Sequence, residues 1–138
     1  MGAAKKRILA VDDDTTALNA LRQILSTKGY EVVTATDAEA GMDLLARETF
    51  DLAILDVGLP DISGFEMCRR IRAEPRTQDL PVIFLTAKGL LMDMAEGEDA
   101  GSDLYLIKPV LATKLINMVG MFLSEDAPLA KRRRSASS

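Results

Sequence analysis

Short apolar runs alternate with amphipathic segments five times along this chain. The apolar runs occupy about residues 7–12, 31–35, 51–56, 81–86 and 104–107. Most of them are continuous, which is typical of strands that are covered on both faces. The segments that follow have helical periodicity and cover about residues 15–28, 37–47, 63–73, 90–100 and 112–124. The pattern therefore predicts five consecutive βα units.

Local signals indicate where the predicted helices begin and end. The first helix carries one apolar stripe, made of Leu18, Leu21 and Leu25. Asp14 is predicted to cap this helix, together with Thr15 or Thr16, and Gly29 to end it. Capping boxes are predicted at Thr36-Asp37-Ala38-Glu39 and Ser63-Gly64-Phe65-Glu66. Pro75 is expected to follow the third helix, which it cannot continue.

Five βα units predict an α/β fold with a doubly wound, five-stranded parallel sheet and helices on both faces. Because crossovers are right-handed, few topologies remain. We expect the strand order 2-1-3-4-5, with the first and third strands adjacent at the switch point. The domain is expected to cover residues 6–124. Residues 125–138 break the pattern, and their basic, serine-rich composition predicts a flexible tail.

The composition excludes several classes of chemistry. The chain has no histidine, which excludes Ser-His-Asp and Cys-His catalysis, histidine-containing zinc sites and a histidine phosphodonor. Its one cysteine, Cys68, cannot form an internal disulfide, which fits the cytoplasm. Cys68 itself is expected to be a small core residue.

The net charge of −4 is unevenly distributed. Four basic residues lie together at 131–134, and without them the chain has 13 basic and 21 acidic residues. An acidic body does not favour DNA binding, so we interpret the basic run as a solvated tail or the start of a linker. No apolar run approaches the roughly 20 residues that cross a membrane, so no membrane partner is expected.

Five polar residues follow the predicted strands at their carboxyl ends. They are Asp12, Asp13, Asp56, Thr86 and Lys108. Because the carboxyl ends of parallel strands meet at one edge of a sheet, these side chains should form one site. Two carboxylates about 4 Å apart repel by about 4 kcal/mol at an effective dielectric constant near 20. A bound Mg²⁺ or Mn²⁺ ion would relieve that repulsion and accept carboxylate ligands.

The same five residues suit phosphoryl chemistry. A carboxylate such as Asp56 can act as a nucleophile and form an acyl phosphate. Thr86 can donate a hydrogen bond to a phosphoryl oxygen, and Lys108 can supply a positive charge to it. Phosphoryl transfer depends mainly on such placement and charge neutralisation. The alternative for any single Asp after a strand is a helix cap or turn residue.

Four segments resemble the receiver domains of two-component response regulators, over about residues 6–124. The segments are Ile8–Asp14, Leu55–Glu66, Phe84–Lys88 and Gly101–Pro109. The resemblance implies the flavodoxin-like receiver fold. It also implies that Asp56 accepts a phosphoryl group from the phosphohistidine of a sensor histidine kinase or a histidine phosphotransfer protein. The domain would then be a phosphorelay switch and would not turn over an external substrate.

The resemblance also implies roles for the other site residues. Asp13, Asp56 and the Gly58 carbonyl would bind Mg²⁺ directly, and Asp12 would act mostly through water. Thr86, Lys108 and the Ala87 N–H would bind the phosphoryl group. The residues that the resemblance assigns to the site are therefore Asp12, Asp13, Asp56, Gly58, Thr86, Ala87 and Lys108.

Tyr105 stands three residues before Lys108, where the family has its switch aromatic. On phosphorylation, Thr86 would then move towards the phosphoryl group and the Tyr105 ring would turn inward behind it. The alternative for Tyr105 is an ordinary half-buried strand residue. The resemblance also implies a cis peptide bond between Lys108 and Pro109. Three residues depart from the family's common choices, namely Gly58, Lys88 and Val110.

The last two predicted helices are more apolar than a single core stripe requires. The residues concerned are Leu90, Leu91, Met92, Met94, Leu115, Ile116, Met118, Val119, Met121 and Phe122. We predict that the face formed by helix 4, strand 5 and helix 5 binds a downstream protein target or a second copy of the chain. The alternative is that these residues fill the core.

Three rival interpretations remain. A haloacid dehalogenase-like phosphatase would need a second Asp two residues after the nucleophile, where this chain has Gly58. A receiver-like binding module that is never phosphorylated is another rival, although such modules usually lack one of the acidic or lysine positions. The chain could also be a receiver fragment of a larger hybrid kinase or regulator.

Overall fold

The computed structural model describes residues 5–124, in which five strands alternate with five helices. The strands are β1 (Arg7–Val11), β2 (Glu31–Ala35), β3 (Leu52–Leu55), β4 (Val82–Thr86) and β5 (Leu104–Ile107). The helices are α1 (Thr15–Ser26), α2 (Ala38–Arg47), α3 (Gly64–Ala73), α4 (Leu91–Asp99) and α5 (Ala112–Leu123). All ten predicted elements are present, with ends within two residues of those predicted. The predicted tail lies outside the described residues.

The five strands form one parallel sheet in the order β2-β1-β3-β4-β5, which confirms the predicted fold and strand order. The core has two parts, one on each face of the sheet. Side chains of α2 and α3 line one part, and side chains of α1 and α5 line the other. Cys68 is buried in the first part, as expected. With both faces covered, the strands can be continuously apolar.

Two of the predicted helix caps are confirmed. The Asp14 carboxylate accepts hydrogen bonds from the Thr16 and Ala17 N–H groups, and Ser63 Oγ accepts one from the Glu66 N–H. The predicted capping box at Thr36 is wrong. Asp37 caps α2 instead, with its carboxylate accepting from the Ala40 N–H at 2.7 Å. A carboxylate is well suited to the positive end of the helix dipole, and the cap lies one residue later than predicted.

The exposed apolar residues are concentrated at the start of α4. Leu90, Leu91 and Met92 are 65%, 84% and 74% exposed, whereas Leu115, Val119 and Phe122 of α5 are buried. The prediction that these helices expose apolar side chains therefore holds for the start of α4. The alternative, that the apolar residues fill the core, holds for these three residues of α5. Within residues 5–124, no helix has the length and apolar character needed to span a membrane.

Candidate functional site

Three aspartates meet at the carboxyl edge of the sheet, where β1 and β3 lie side by side. Each of Asp12, Asp13 and Asp56 offers one carboxylate oxygen within 4.8 Å of the others. The pairing of Val11 with Leu55 produces this proximity, because the next residue of each strand emerges at the same edge. The Asp56 N–H donates to the Val11 carbonyl at 2.9 Å, which holds the two strand ends together.

Lys108 lies at the same edge and is paired with Asp12. Its Nζ is 2.7 Å from Asp12 Oδ2, while Asp12 Oδ1 accepts a hydrogen bond from the Asp14 N–H at 2.9 Å. Asp12 is buried, so a charged partner offsets part of its desolvation cost. The peptide bond between Lys108 and Pro109 is cis, which confirms that prediction.

Thr86 is buried at the end of β4, next to the other site residues. Its Oγ1 accepts a hydrogen bond from the Lys88 N–H at 3.3 Å. Its carbonyl accepts one from the Lys108 N–H at 2.8 Å, which aligns the ends of β4 and β5. The sheet therefore brings all five polar residues predicted from the strand ends to one edge.

The oxygen donors of this edge fit a hard divalent cation. Mg²⁺ prefers carboxylate and carbonyl oxygens and keeps several waters. Asp13 is exposed and Asp56 is half-buried, so both carboxylates are accessible from solvent. The chemistry of the three aspartates is therefore compatible with Mg²⁺.

Two of the unusual residues, Gly58 and Lys88, face each other beside Asp56. A Cβ atom added to Gly58 would lie 3.8 Å from Lys88 Cε. Both residues are exposed, so the approach to Asp56 from this side is open to solvent.

Tyr105 packs between β4 and α4. Its ring centroid is 5.8 Å from that of Phe84, and its hydroxyl donates to the Lys88 carbonyl. Gly97 of α4 lies against the ring, and a Cβ atom added there would be 2.9 Å from Tyr105 Cδ2. Burial raises the pKa of the Tyr105 phenol, and the negative charges of Asp93 and Asp56 raise it further.

Asp61 is a residue to which the sequence assigned no role. It lies in the connection between β3 and α3, and its two carboxylate oxygens accept hydrogen bonds from the Ala38 and Glu39 N–H groups of α2, at 2.9 and 2.8 Å. The bond from Ala38 is the larger cause of a lowered Asp61 pKa. These partners precede Asp61 by more than 20 residues, so no local motif reveals the contact.

We predict a pH-dependent contribution of Asp61 to stability. A lowered pKa in the folded state means that the stabilisation is complete above the unfolded pKa, about 3.9, and is lost as the pH falls through the folded value. Asp61→Ala should therefore be less stable than the wild type at neutral pH, and the gap should narrow below about pH 4. Urea unfolding across this range measures the gap, and an undiminished gap in acid would contradict the prediction.

Comparison with known proteins identifies the family. Residues 8–120 match the sequence model of the response regulator receiver domain. The response regulator MprA of Mycobacterium leprae is 38% identical over 122 residues, which are 88% of this chain and 53% of that protein. The transcriptional regulatory protein AfsQ1 of Streptomyces coelicolor is 45% identical over 103 residues, which are 75% of this chain and 44% of that protein. The chain thus spans about half the length of these curated relatives.

Solved structures share the fold. A CheY-like receiver domain protein from Methanospirillum hungatei JF-1 is 31% identical with a TM-score of 0.83, over 96% of this chain and 99% of that one. The receiver domain of the sensor histidine kinase PA1611 from Pseudomonas aeruginosa PAO1 is 28% identical with a TM-score of 0.80, over 86% and 98%. That structure is described with a magnesium ion in its active-site cleft. This chain therefore belongs to the response regulator receiver domain family of two-component signal transduction.

Proposed function

We propose that Asp56 accepts a phosphoryl group from the phosphohistidine of a sensor histidine kinase or histidine phosphotransfer protein. The observation that carries this proposal is the meeting of three carboxylates within 4.8 Å, with Lys108 beside them. The carboxylates repel one another, and a bound cation would offset both this repulsion and the negative charge of a transferred phosphoryl group. Receiver domains are signalling modules, and this role requires no turnover of an external substrate.

In the proposed reaction, an Asp56 carboxylate oxygen attacks phosphorus. A P–O bond forms, the P–N bond to the donor imidazole breaks, and the imidazole leaves with the bonding electrons. Lys108 supplies a positive charge to the phosphoryl oxygens, and Thr86 donates a hydrogen bond to one of them. The Ala87 N–H, one residue further along the chain, is a second donor.

Asp13, Asp56 and the Gly58 carbonyl would hold Mg²⁺ directly, and Asp12 would contribute through water. When bound, the cation neutralises charge on the phosphoryl oxygens. Mn²⁺ suits the same oxygen donors. Because Asp12 already binds Lys108, it also keeps the lysine ammonium beside the group of three aspartates.

Thr86 and Tyr105 form the proposed switch. Thr86 Oγ1 accepts from the Lys88 N–H, and Tyr105 donates to the Lys88 carbonyl, so both contact the same residue. A phosphoryl group that draws the Thr86 hydroxyl towards Asp56 would weaken its contact with Lys88. The Tyr105 ring would then be free to leave its present position. Thr86 and Tyr105 together would be the two-state element that phosphorylation biases.

We predict that Gly97→Ala displaces the Tyr105 ring. The added methyl group would lie 2.9 Å from Tyr105 Cδ2 and 3.3 Å from Phe84 Cδ2, so the ring must move outwards. Greater exposure should lower the Tyr105 pKa towards its ordinary value. Tyrosinate absorbance measures this pKa in a Tyr30→Phe background. Gly120→Ala, with no atom near the added methyl group, is the control that should leave it unchanged.

The output surface in this proposal is the face formed by α4, β5 and α5. Its exposed apolar side chains are Leu90, Leu91, Met92, Ile107, Leu111 and Met121. This face would bind a downstream protein target or a second copy of the chain. Sedimentation over a concentration range, with and without a phosphoryl mimic, tests self-association. If the protein is a monomer in both states, a second copy is excluded as the partner of this face and a downstream protein target remains.

Intact-protein mass spectrometry tests the central proposal. After incubation with a small-molecule phosphodonor, we expect one added phosphoryl group in the presence of Mg²⁺ and none after chelation of the metal. Uptake that is independent of Mg²⁺ would contradict the proposed site. An absence of uptake from both the small donor and a panel of phosphorylated histidine phosphotransfer proteins would favour a binding module that is never phosphorylated.

A further inference from the structure

Asp61 connects two parts of the fold that are distant in sequence. It lies three residues after Gly58, in the loop between β3 and α3. Its oxygens accept hydrogen bonds from the Ala38 and Glu39 N–H groups, at 2.9 and 2.8 Å. These amides belong to the first turn of α2, where N–H groups have no partner within the helix. The carboxylate therefore fastens this loop to the start of α2.

The loop is also held at both of its ends. Near its beginning, the Val57 carbonyl accepts hydrogen bonds from the Leu59 and Gly64 N–H groups, at 3.1 and 2.8 Å. At its end, Ser63 caps α3. Asp61 lies between these points in a part of the loop that is exposed to solvent. Its bonds to α2 limit how far this exposed part can move.

We propose that Asp61 is a positioning residue for the metal site, which keeps the Gly58 carbonyl beside Asp13 and Asp56 by tethering the loop to α2. This inference rests on the proposed function, because it requires Gly58 to be a metal ligand. Asp61 itself would contact neither the metal nor the phosphoryl group. Its effect passes through the main chain of the loop, which the two hydrogen bonds restrain.

The proposed coupling must act in both directions. If the tether favours metal binding, metal binding must strengthen the tether by the same factor. The Ala38 and Glu39 amides, which donate to Asp61, should therefore exchange with solvent more slowly when Mg²⁺ is bound. This readout lies in α2 and is independent of phosphorylation activity.

Asp37 provides a matched control within the same helix end. Its carboxylate accepts a hydrogen bond from the Ala40 N–H at 2.7 Å and caps α2. Asp37→Ala removes an acceptor from the start of α2, as Asp61→Ala does, but it leaves the bonds between Asp61 and α2 in place. A general weakening of α2 would appear in both variants, whereas loss of the tether would appear only in Asp61→Ala.

The experiment is calorimetric titration of the full chain with Mg²⁺ at neutral pH. We expect Asp61→Ala to weaken Mg²⁺ binding about fivefold, below the roughly 10–100-fold cost of losing a direct partner of a metal ligand. The Mg²⁺ affinity of Asp37→Ala should stay within about twofold of the wild-type value, since the hydrogen bond that this variant loses lies within the helix cap. Asp61→Asn keeps one acceptor oxygen, so its Mg²⁺ affinity should lie between those of Asp61→Ala and the wild type. This variant replaces Asp61→Ala in the test if Asp61→Ala does not fold.

The possible outcomes separate this inference from the proposed function. If the wild type binds Mg²⁺ and the Asp61 variants bind as tightly as Asp37→Ala, the positioning role is wrong while the metal site stands. Unchanged exchange of the Ala38 and Glu39 amides on adding Mg²⁺ would equally reject the tether. If the wild type itself binds no Mg²⁺, the proposed function is contradicted, and the positioning role with it.

Discussion

Asp56→Asn is expected to take up no phosphoryl group under conditions in which the wild type takes up one. The amide oxygen is not a nucleophile, so no acyl phosphate can form. The substitution is nearly isosteric, and the Asn oxygen can still accept the hydrogen bond that the Val57 N–H donates to Asp56 at 2.9 Å. Removing one of three clustered negative charges reduces their repulsion. The free energy of unfolding should therefore be unchanged or higher, by up to about 1 kcal/mol.

The measurement is intact-protein mass after incubation with a small phosphodonor and Mg²⁺. Asp43→Asn is the control, because Asp43 is an exposed carboxylate on α2, away from the edge that carries Asp56. It should be phosphorylated like the wild type. Uptake by Asp56→Asn at the wild-type level would place the acceptor elsewhere, and peptide mapping would then locate it.

Gly64→Ala is expected to destabilise the fold by about 3 kcal/mol, near the upper end of the cost of overpacking. A Cβ at this position would lie 2.1 Å from the Asp56 carbonyl oxygen and 3.0 Å from Val57 Cα. These are main-chain atoms at the end of a central strand, so α3 or the end of β3 must shift. The shift would move Asp56, and phosphoryl uptake should fall along with stability.

Urea unfolding of Gly64→Ala and Gly120→Ala measures this effect. Gly120 lies in α5, and beyond its chain neighbours and the nearby backbone of its own helix nothing lies within 4 Å of the added Cβ, so alanine there should stabilise the helix by up to about 1 kcal/mol. The two substitutions are chemically identical and differ only in their surroundings. Equal stability of the two variants would contradict the predicted clash.

Much of the fold follows from local pattern. The five apolar runs are strands because a sheet covered on both faces requires continuous apolar residues. The strand order then follows from right-handed crossovers and the need to cover both faces. The positions of Asp12, Asp56 and Lys108 at one edge depend only on this topology, so the sequence could predict that they lie together.

One prediction failed and another was only partly right, and both concern choices between close alternatives. Thr36 and Asp37 are adjacent and both can cap a helix, and Asp37 does so. The apolar residues of α4 and α5 look alike in sequence, yet Leu91 is 84% exposed and Val119 is fully buried. Periodicity identifies an apolar face but does not say whether a neighbouring element covers it.

The sequence by itself determined the order of the elements and which polar residues follow each strand, because these depend on short-range periodicity and on chain topology. Tertiary structure alone decided the contacts between distant segments. These contacts are the ion pair between Lys108 and Asp12, the hydrogen bonds from the start of α2 to Asp61, and the close approach of Gly64 to the Asp56 carbonyl. Such contacts depend on how closely the elements approach one another. These distances arise only when the helices have packed on the sheet, since close packing sets them.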